Sequence, residues 1–389
     1  MVFKFLKNRT PLGWLQLKHD KIRLLTALSG IAFADILIFM QLGFKDALYT
    51  TNTQYPRQIQ GDIVLVSDRA INFNKLYTFS RRRLYQAKDI SGVESAEAVY
   101  VGSLDWNNPQ TREKASMMIL GFDPDRPAFT LPDVNSQLDK VKIPHTVLFD
   151  KASRGEYQEV VSQIERGKSL TTEIDRNTVT IDGLFEVGAS FRDDGTLITS
   201  DQNFLRLFPN RQSGAVSLGV INLKDGHNPE EMRAYLNSYL PKDVRAFTRQ
   251  EYVDFELNYI QTSSSIGFTF NMGTAVGFIV GMVIVYQVLS NDVNDHMAEY
   301  ATFKAMGYRN LHLLGVVFEE AIILALIGFF PSLIVASGLY HLTATATALP
   351  IAMSASRAIG VLVSTMTMCT ISGAVATQKL YSADPADIF

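Results

Sequence analysis

The sequence predicts an α-helical membrane protein with four transmembrane helices and a large extracytoplasmic α+β domain, and three observations carry that reading. Its 389 residues are 47% hydrophobic and 19% charged, with a mean hydropathy of +0.07. That is too apolar for an ordinary soluble chain and too polar for one lying wholly in lipid. Four apolar runs each approach or exceed the roughly 20 helical residues needed to cross about 30 Å of hydrocarbon. Between the first and the second lies the stretch 45–265, where short β-branched runs alternate with turn formers and polar helical segments.

Taken in order, residues 1–21 carry Lys4, Lys7, Arg9, Lys18 and Lys21 with no acid before Asp20, and Thr10-Pro11 is a good helix start. Leu12, Trp14 and Leu15 suit an amphipathic elbow helix at the cytoplasmic surface. The alternative is an unremarkable basic tail. The run 22–44 is the first span. A basic start and Ala32-Phe-Ala34 also fit a cleavable signal peptide, but Ile36-Leu-Ile-Phe-Met40 continues the apolar run past that point. Asp35 falls well inside this span, where a carboxylate costs about 2.5 kcal/mol or more. It should face protein or a wet cavity, either as a packing residue or in substrate passage or subunit contact.

The domain 45–265 is expected to hold strands at Gly61–Ser67, Val93–Val101, Ser116–Gly121, Thr178–Phe185 and Gly195–Thr199, with helices at Phe79–Asp89 and Glu230–Leu240. Asp193-Asp-Gly195 marks a tight turn, Pro229 sits at a helix start and Pro241 stops that helix. Asp46–Gln60 and Val244–Ser265 are expected to form a stalk tethering the domain to the first and second spans only. The second span, 266–290, carries the ridge Gly273, Gly277 and Gly281. Small residues at that spacing let helices approach closely, so the ridge is a candidate for self-association or for packing on the first span. The third span, 313–340, contains Pro331, expected to kink it, and Glu319-Glu320, which could snorkel or meet basic groups of a partner. A short loop, 341–356, leads to the fourth span, 357–377, and a tail, 378–389.

Basic residues set the orientation. The amino-terminal segment, the loop 291–312 with Lys304 and Arg309, and the tail with Lys379 carry them, whereas the loop between the third and fourth spans has none before Arg357. Both termini and the 291–312 loop are therefore expected in the cytoplasm, and the large domain outside. That loop reads as a short helix. Met297, Ala301 and Ala305 share one side, while Glu299, Thr302, Phe303 and Met306 share another, so both sides need a partner. Gly307 ends the helix, with Arg309 near its negative terminus.

Several chemistries are excluded. There is no Gly-rich phosphate cradle ending in Lys and no nucleophile elbow, and the single Cys369 rules out an intrachain disulfide or a paired-cysteine metal site. The six histidines are scattered without metal-ligand spacing. A net charge of -3 gives no polybasic signature, so no nucleic-acid partner is expected. No catalytic residue or metal ligand is assigned.

The stretch Glu299-Tyr-Ala-Thr-Phe-Lys-Ala-Met-Gly-Tyr308 resembles the Glu-x-Gly-x-x-Arg/Lys-Ala-x-Gly loop of four-span MacB/FtsX-type ABC permeases, with Ala301 where that pattern has Gly and no basic run before Glu299. Ala27–Ala34, Gln41–Phe44, Gly183–Gly188, Leu197–Asp201 and the Asp-Pro-Ala of the tail resemble the DevC subfamily of cyanobacterial exporters. The resemblance implies a homodimeric permease of the mechanotransmission type in the inner membrane. A separate DevA-like ATPase, which binds the ATP and Mg, would dock on Met297, Glu299, Thr302, Phe303, Lys304, Met306 and Gly307. No cofactor is implied in this chain. Gly273, Gly277, Gly281 and Asp35 would serve dimerisation or packing in the membrane lipid. The periplasmic domain would divide into a porter-like part, 61–120 with 216–245, and an insert, 121–215. It would drive export, of glycolipid in the nearest relatives, through a DevB/HlyD-like adaptor and a TolC-like outer-membrane channel. The rival readings are an FtsX-like signalling subunit that regulates an outer enzyme, and a membrane-anchored binding domain with no motor.

Overall fold

The computed structural model describes residues 21–175, 177–262, 265–299, 302, 306 and 310–378. The elbow expected over 1–21, apart from Lys21, and the tail from Lys379 onward lie outside the described residues. In chain order, helix α1 (Lys21–Gln58) leads to strands β1 (Ile63–Ser67) and β2 (Phe79–Ser80), helix α2 (Arg82–Lys88), and the long pair β3 (Val93–Asn107) and β4 (Lys114–Phe122). Next come α3 (Pro132–Asn135), β5 (Thr146–Asp150), α4 (Gln158–Glu165), β6 (Leu170–Ile174), β7 (Asn177–Phe185), β8 (Gly195–Ser200) and α5 (Asp201–Leu207). The domain closes with β9 (Ala215–Val216), β10 (Leu218–Leu223), α6 (Pro229–Tyr239), β11 (Val244–Thr248) and α7 (Arg249–Thr262). Three long helices follow: α8 (Ser265–Asp295), α9 (Asn310–Thr347) and α10 (Ala355–Ala376).

The chain forms two compact units, divided at Asp46/Ala47, Gly267/Phe268, Leu342/Thr343 and Pro350/Ile351. Four helices, α1, α8, α9 and α10, are long and apolar enough to cross a membrane. The first runs 38 residues, about 57 Å at the helical rise, so it continues well beyond the 22–44 expected. Likewise α9 is unbroken through Pro331 and extends to Thr347, which shortens the loop before α10.

The second unit is built on a nine-stranded sheet with the order β11-β1-β10-β3-β4-β8-β5-β7-β6. Alternation along its strands feeds a core on each face. Ile63 and Leu65 of β1, with Met117 and Ile119 of β4, join one core; Val64 and Val66, with Met118, Leu120 and Phe122, join the other. Because β5 and β8 are buried along their whole length, they lie inside the sheet, where neither face needs polar residues. At 15 residues, β3 outlasts its neighbour β10, and its far end meets β6 through Trp106 and Ile174. This contact links the two ends of the run from β3 to β6. Phe79–Ser80, expected to open a helix, instead pair as β2 with β9, and the helix starts at Arg82.

Local signals explain individual ends. Asn228 caps α6 by accepting from the Glu230 N–H at 2.9 Å, with Pro229 at the first position. Ser200 closes β8 and caps α5, accepting from Asn203 N–H at 3.2 Å. Asn203 in turn donates to the carbonyls of Val141 and Ile143, each at 2.9 Å.

Candidate functional site

The helix-linking segment between α8 and α9 is the candidate docking site. The described residues Glu299, Thr302 and Met306 are exposed and Met297 is half-buried. Thr302 donates from its hydroxyl to Ala298 O at 2.8 Å and its own carbonyl accepts from Met306 N–H at 3.0 Å. Met306 is 61% exposed, a large apolar side chain at the surface of the described residues. Phe303, Lys304 and Gly307 lie outside the described residues.

Behind this segment the bundle is tied together by small residues and a few polar contacts. A side chain at Gly273 would collide with Gln41 and at Gly281 with Met368 and Ala34, and at Gly277 it would press tightly on Ile38. The ridge therefore packs against α1, with α10 closing over Gly281. Asp35 is fully buried. It accepts from the Thr365 hydroxyl at 2.7 Å and the Ser332 hydroxyl at 3.3 Å, joining α1 to α10 and α9. Glu320 is also fully buried, which corrects the expectation that it snorkels, whereas Glu319 is half-buried.

A second polar set lies at the opposite end of the bundle, where α1 leaves it. Arg357 donates to Asp46 at 2.5 Å and stacks over the Tyr340 ring at 5.3 Å. Tyr340 donates to the Phe39 carbonyl, and Lys45 donates to Asn271 at 2.9 Å. These contacts join α1 to α8, α9 and α10 beside the residues where the chain passes into the other unit. Asp46 was not singled out in the sequence, although an acid 11 residues after Asp35 in an apolar helix is a usable signal.

Within the α+β unit, three helix segments that lead from spans are anchored separately. The end of α1 is fixed by Thr130 N–H donating to Gln58 O at 2.6 Å and Gln60 N–H donating to Ala128 O at 2.8 Å. Tyr55 stacks on Phe73 at 5.8 Å. Helix α7 contributes Tyr252 to the same core. The end of α9 belongs to this unit as well, with Thr343–Pro350. Arg154 donates to Thr347 O at 2.6 Å, while its other nitrogens hold Asp194 at 2.8 Å and Ser190 O at 3.0 Å. The expectation that only the first and second spans tether the domain is thus corrected: the third does so too. A guanidinium has five donors in a planar fork, which is why one side chain can clamp three groups.

Among the described residues no three His, Cys, Asp or Glu side chains gather as metal ligands would. Comparison with known proteins places residues 271–385 in the family described as FtsX-like permease C-terminal. This match spans most of α8, the linking segment, α9 and α10. No curated protein matches the chain. Among solved structures it is similar to the periplasmic region of MacB from Actinobacillus actinomycetemcomitans, at 10% identity and a TM-score of 0.35, covering 56% of this chain and 99% of that one. It is also similar to the extracellular domain of the noncanonic ABC-type transporter YknZ from Gram-positive bacteria, at 13% identity and a TM-score of 0.30, covering 48% and 99%. The chain is thus a multi-pass membrane protein with an FtsX-like permease region following a large α+β domain.

Proposed function

We propose that this protein is the permease subunit of a MacB/FtsX-type ABC exporter, coupling ATP hydrolysis by a separate chain to motion of an extracytoplasmic domain. The observation that carries the reading is the FtsX-like match over 271–385, which contains the linking segment and the helices on both sides of it. A DevA-like ATPase, holding ATP and Mg, docks on Glu299, Phe303, Lys304 and Met306, with Met297, Thr302 and Gly307 shaping the contact. Closure of two ATPase copies on a homodimer moves α8 and α9 at their cytoplasmic ends. Two routes then lead to the domain: through α8 and α7, and through α9 to the Arg154 clamp at Thr347.

In this reading both termini are cytoplasmic, the domain is periplasmic and the membrane is the inner one. DevC-type chemistry extends it to a cyanobacterial envelope, a DevB/HlyD-like adaptor, a TolC-like channel and a glycolipid cargo. The chain itself catalyses no reaction.

Purification of the native complex, with and without Glu299→Lys combined with Phe303→Ala, tests the proposal. The wild-type chain should bring down an ATPase and an adaptor, and the double variant should lose the ATPase while still inserting in the membrane. Copurification of the wild type with an ATPase and a wall-modifying enzyme, with no adaptor, would replace export by signalling. Retention of a normally stimulated ATPase by the double variant would sink the docking assignment.

A further inference from the structure

A cavity of about 160 Å³ in the α+β unit lies between the 73–77 loop, β3, Arg192 and Arg211. Three cationic residues, Lys75, Arg192 and Arg211, line it, and no carboxylate does. None of the three forms an ion pair among the described residues. Asp193, a buried carboxylate next to Arg192 in the chain, interacts electrostatically with Arg192 but lies outside the lining. Such a volume exceeds what a single water needs.

The two guanidiniums are held in place, and the Lys75 ammonium lies over the Tyr77 ring at 5.7 Å. Arg192 donates to Asn74 O at 2.5 Å, and the 71–75 turn is closed by Lys75 N–H to Asn72 O at 2.9 Å and Ile71 N–H to Lys75 O at 3.1 Å. Arg211 donates to Ala215 O at 3.2 Å and to the Ser217 hydroxyl. Each guanidinium uses only part of its five-donor fork in these contacts. Arg211 is half-buried, and that burial pulls its affinity for a proton below the ordinary arginine value. A partly desolvated cation without a counter-charge gains from an anion. Val101 and Met118 supply an apolar floor.

We propose that this cavity binds a small tetrahedral oxyanion, phosphate or sulfate, either free or as the headgroup of an amphiphile. Arg211 and Arg192 form the charged fork, and Lys75 adds a more exposed charge. Nothing in the permease reading requires this site, and it stands independently of ATPase docking.

The test uses the full chain in phosphatidylcholine nanodiscs and calorimetric titration at ionic strength held constant with chloride. The probes are inorganic phosphate, inorganic sulfate and dihexanoyl phosphatidic acid. Binding of an inorganic ion, weakened about tenfold or more by Arg211→Gln, supports a free oxyanion site. Binding of the amphiphile alone, weakened to the same degree, supports a headgroup site. Because Arg211 also braces Ser217, the exposed substitutions Arg192→Gln and Lys75→Gln provide folded controls that should each weaken binding several-fold. Absence of binding for all three probes, or affinities unchanged by Arg192→Gln and Lys75→Gln, would overturn the proposal.

Discussion

Two buried aspartates show how differently the membrane bundle and the α+β domain solve one problem. Asp35 and Asp150 are both fully inaccessible. In the bundle, helical hydrogen bonding consumes the backbone donors around Asp35, so only side chains can reach it: the hydroxyls of Thr365 and Ser332. In the domain, irregular backbone supplies what helices cannot. Asp150 accepts from Ala152 N–H at 3.0 Å, Val187 N–H at 3.1 Å and Gly188 N–H at 2.8 Å. Gly188 adopts φ 104, a left-handed conformation that glycine reaches without strain. The comparison teaches that a carboxylate bound by backbone donors organises a loop, whereas one bound by hydroxyls sits in a structure already complete.

The largest expected effect follows from that asymmetry. Asp150→Ala strands three inward-facing N–H groups, each costing about 1–3 kcal/mol when buried without a partner. Allowing for relaxation, a loss of roughly 3–5 kcal/mol is expected. Thermal and denaturant unfolding of the purified full chain measures it. A loss below about 1 kcal/mol would break the comparison, because it would mean that the loop finds other acceptors.

Glu256, on α7, sharpens the point as an intermediate case. It is 1% exposed, and burial pushes its carboxyl up to about 8, opposed in part by the Phe73 backbone and the Tyr252 side chain. Asp150 is also raised by burial, with three backbone donors acting against the rise. For Glu256 the folded value lies above the unfolded one, so between about pH 4.5 and 8 the unfolded chain binds fewer protons than the folded chain. Stability therefore falls as pH rises through that window, by at most about 1.4 kcal/mol per unit, and levels off above it. Unfolding temperatures at pH 5, 6.5 and 8 should decline, and Glu256→Gln should flatten the decline. An unchanged slope in the variant would move the titration to another group.

Much of this was legible in the sequence where the signal is local. The four apolar runs, the β-branched run Ile63-Val-Leu-Val66 between turn formers and the Asn228-Pro229 start of α6 all depend on neighbours in the chain. What escaped is nonlocal or short. Thr146–Asp150 is a five-residue strand buried on both faces, and so short an apolar run has no period to read. Its partners β8 and β7 are set by long-range pairing. The Arg154 clamp escaped for another reason: a side chain donating to a backbone carbonyl 193 residues away leaves no pattern in the acceptor's sequence. In the stretch Gly183–Gly188 the strand ending at Phe185 is legible, whereas the pair of N–H groups that Val187 and Gly188 turn toward Asp150 leaves no local pattern.

The smallest effect is expected at Asp35, although a carboxylate in a membrane span looks the more dramatic of the two. Each hydroxyl that serves it also lies within hydrogen-bond reach of a carbonyl on its own helix: Ser332 Oγ is 2.6 Å from Phe329 O and Thr365 Oγ1 is 2.8 Å from Val361 O. A hydroxyl has one proton to give, and each can give it to that carbonyl instead, so these groups stay satisfied when the aspartate is changed. Interhelical polar contacts in membrane bundles average about 0.6 kcal/mol. Asp35→Asn should therefore shift the unfolding free energy of the reconstituted chain by less than about 1 kcal/mol and leave membrane insertion intact. If Asp35→Asn instead cost as much as Asp150→Ala, the bundle would depend on this carboxylate for its assembly. The contrast between the two regions would then fail.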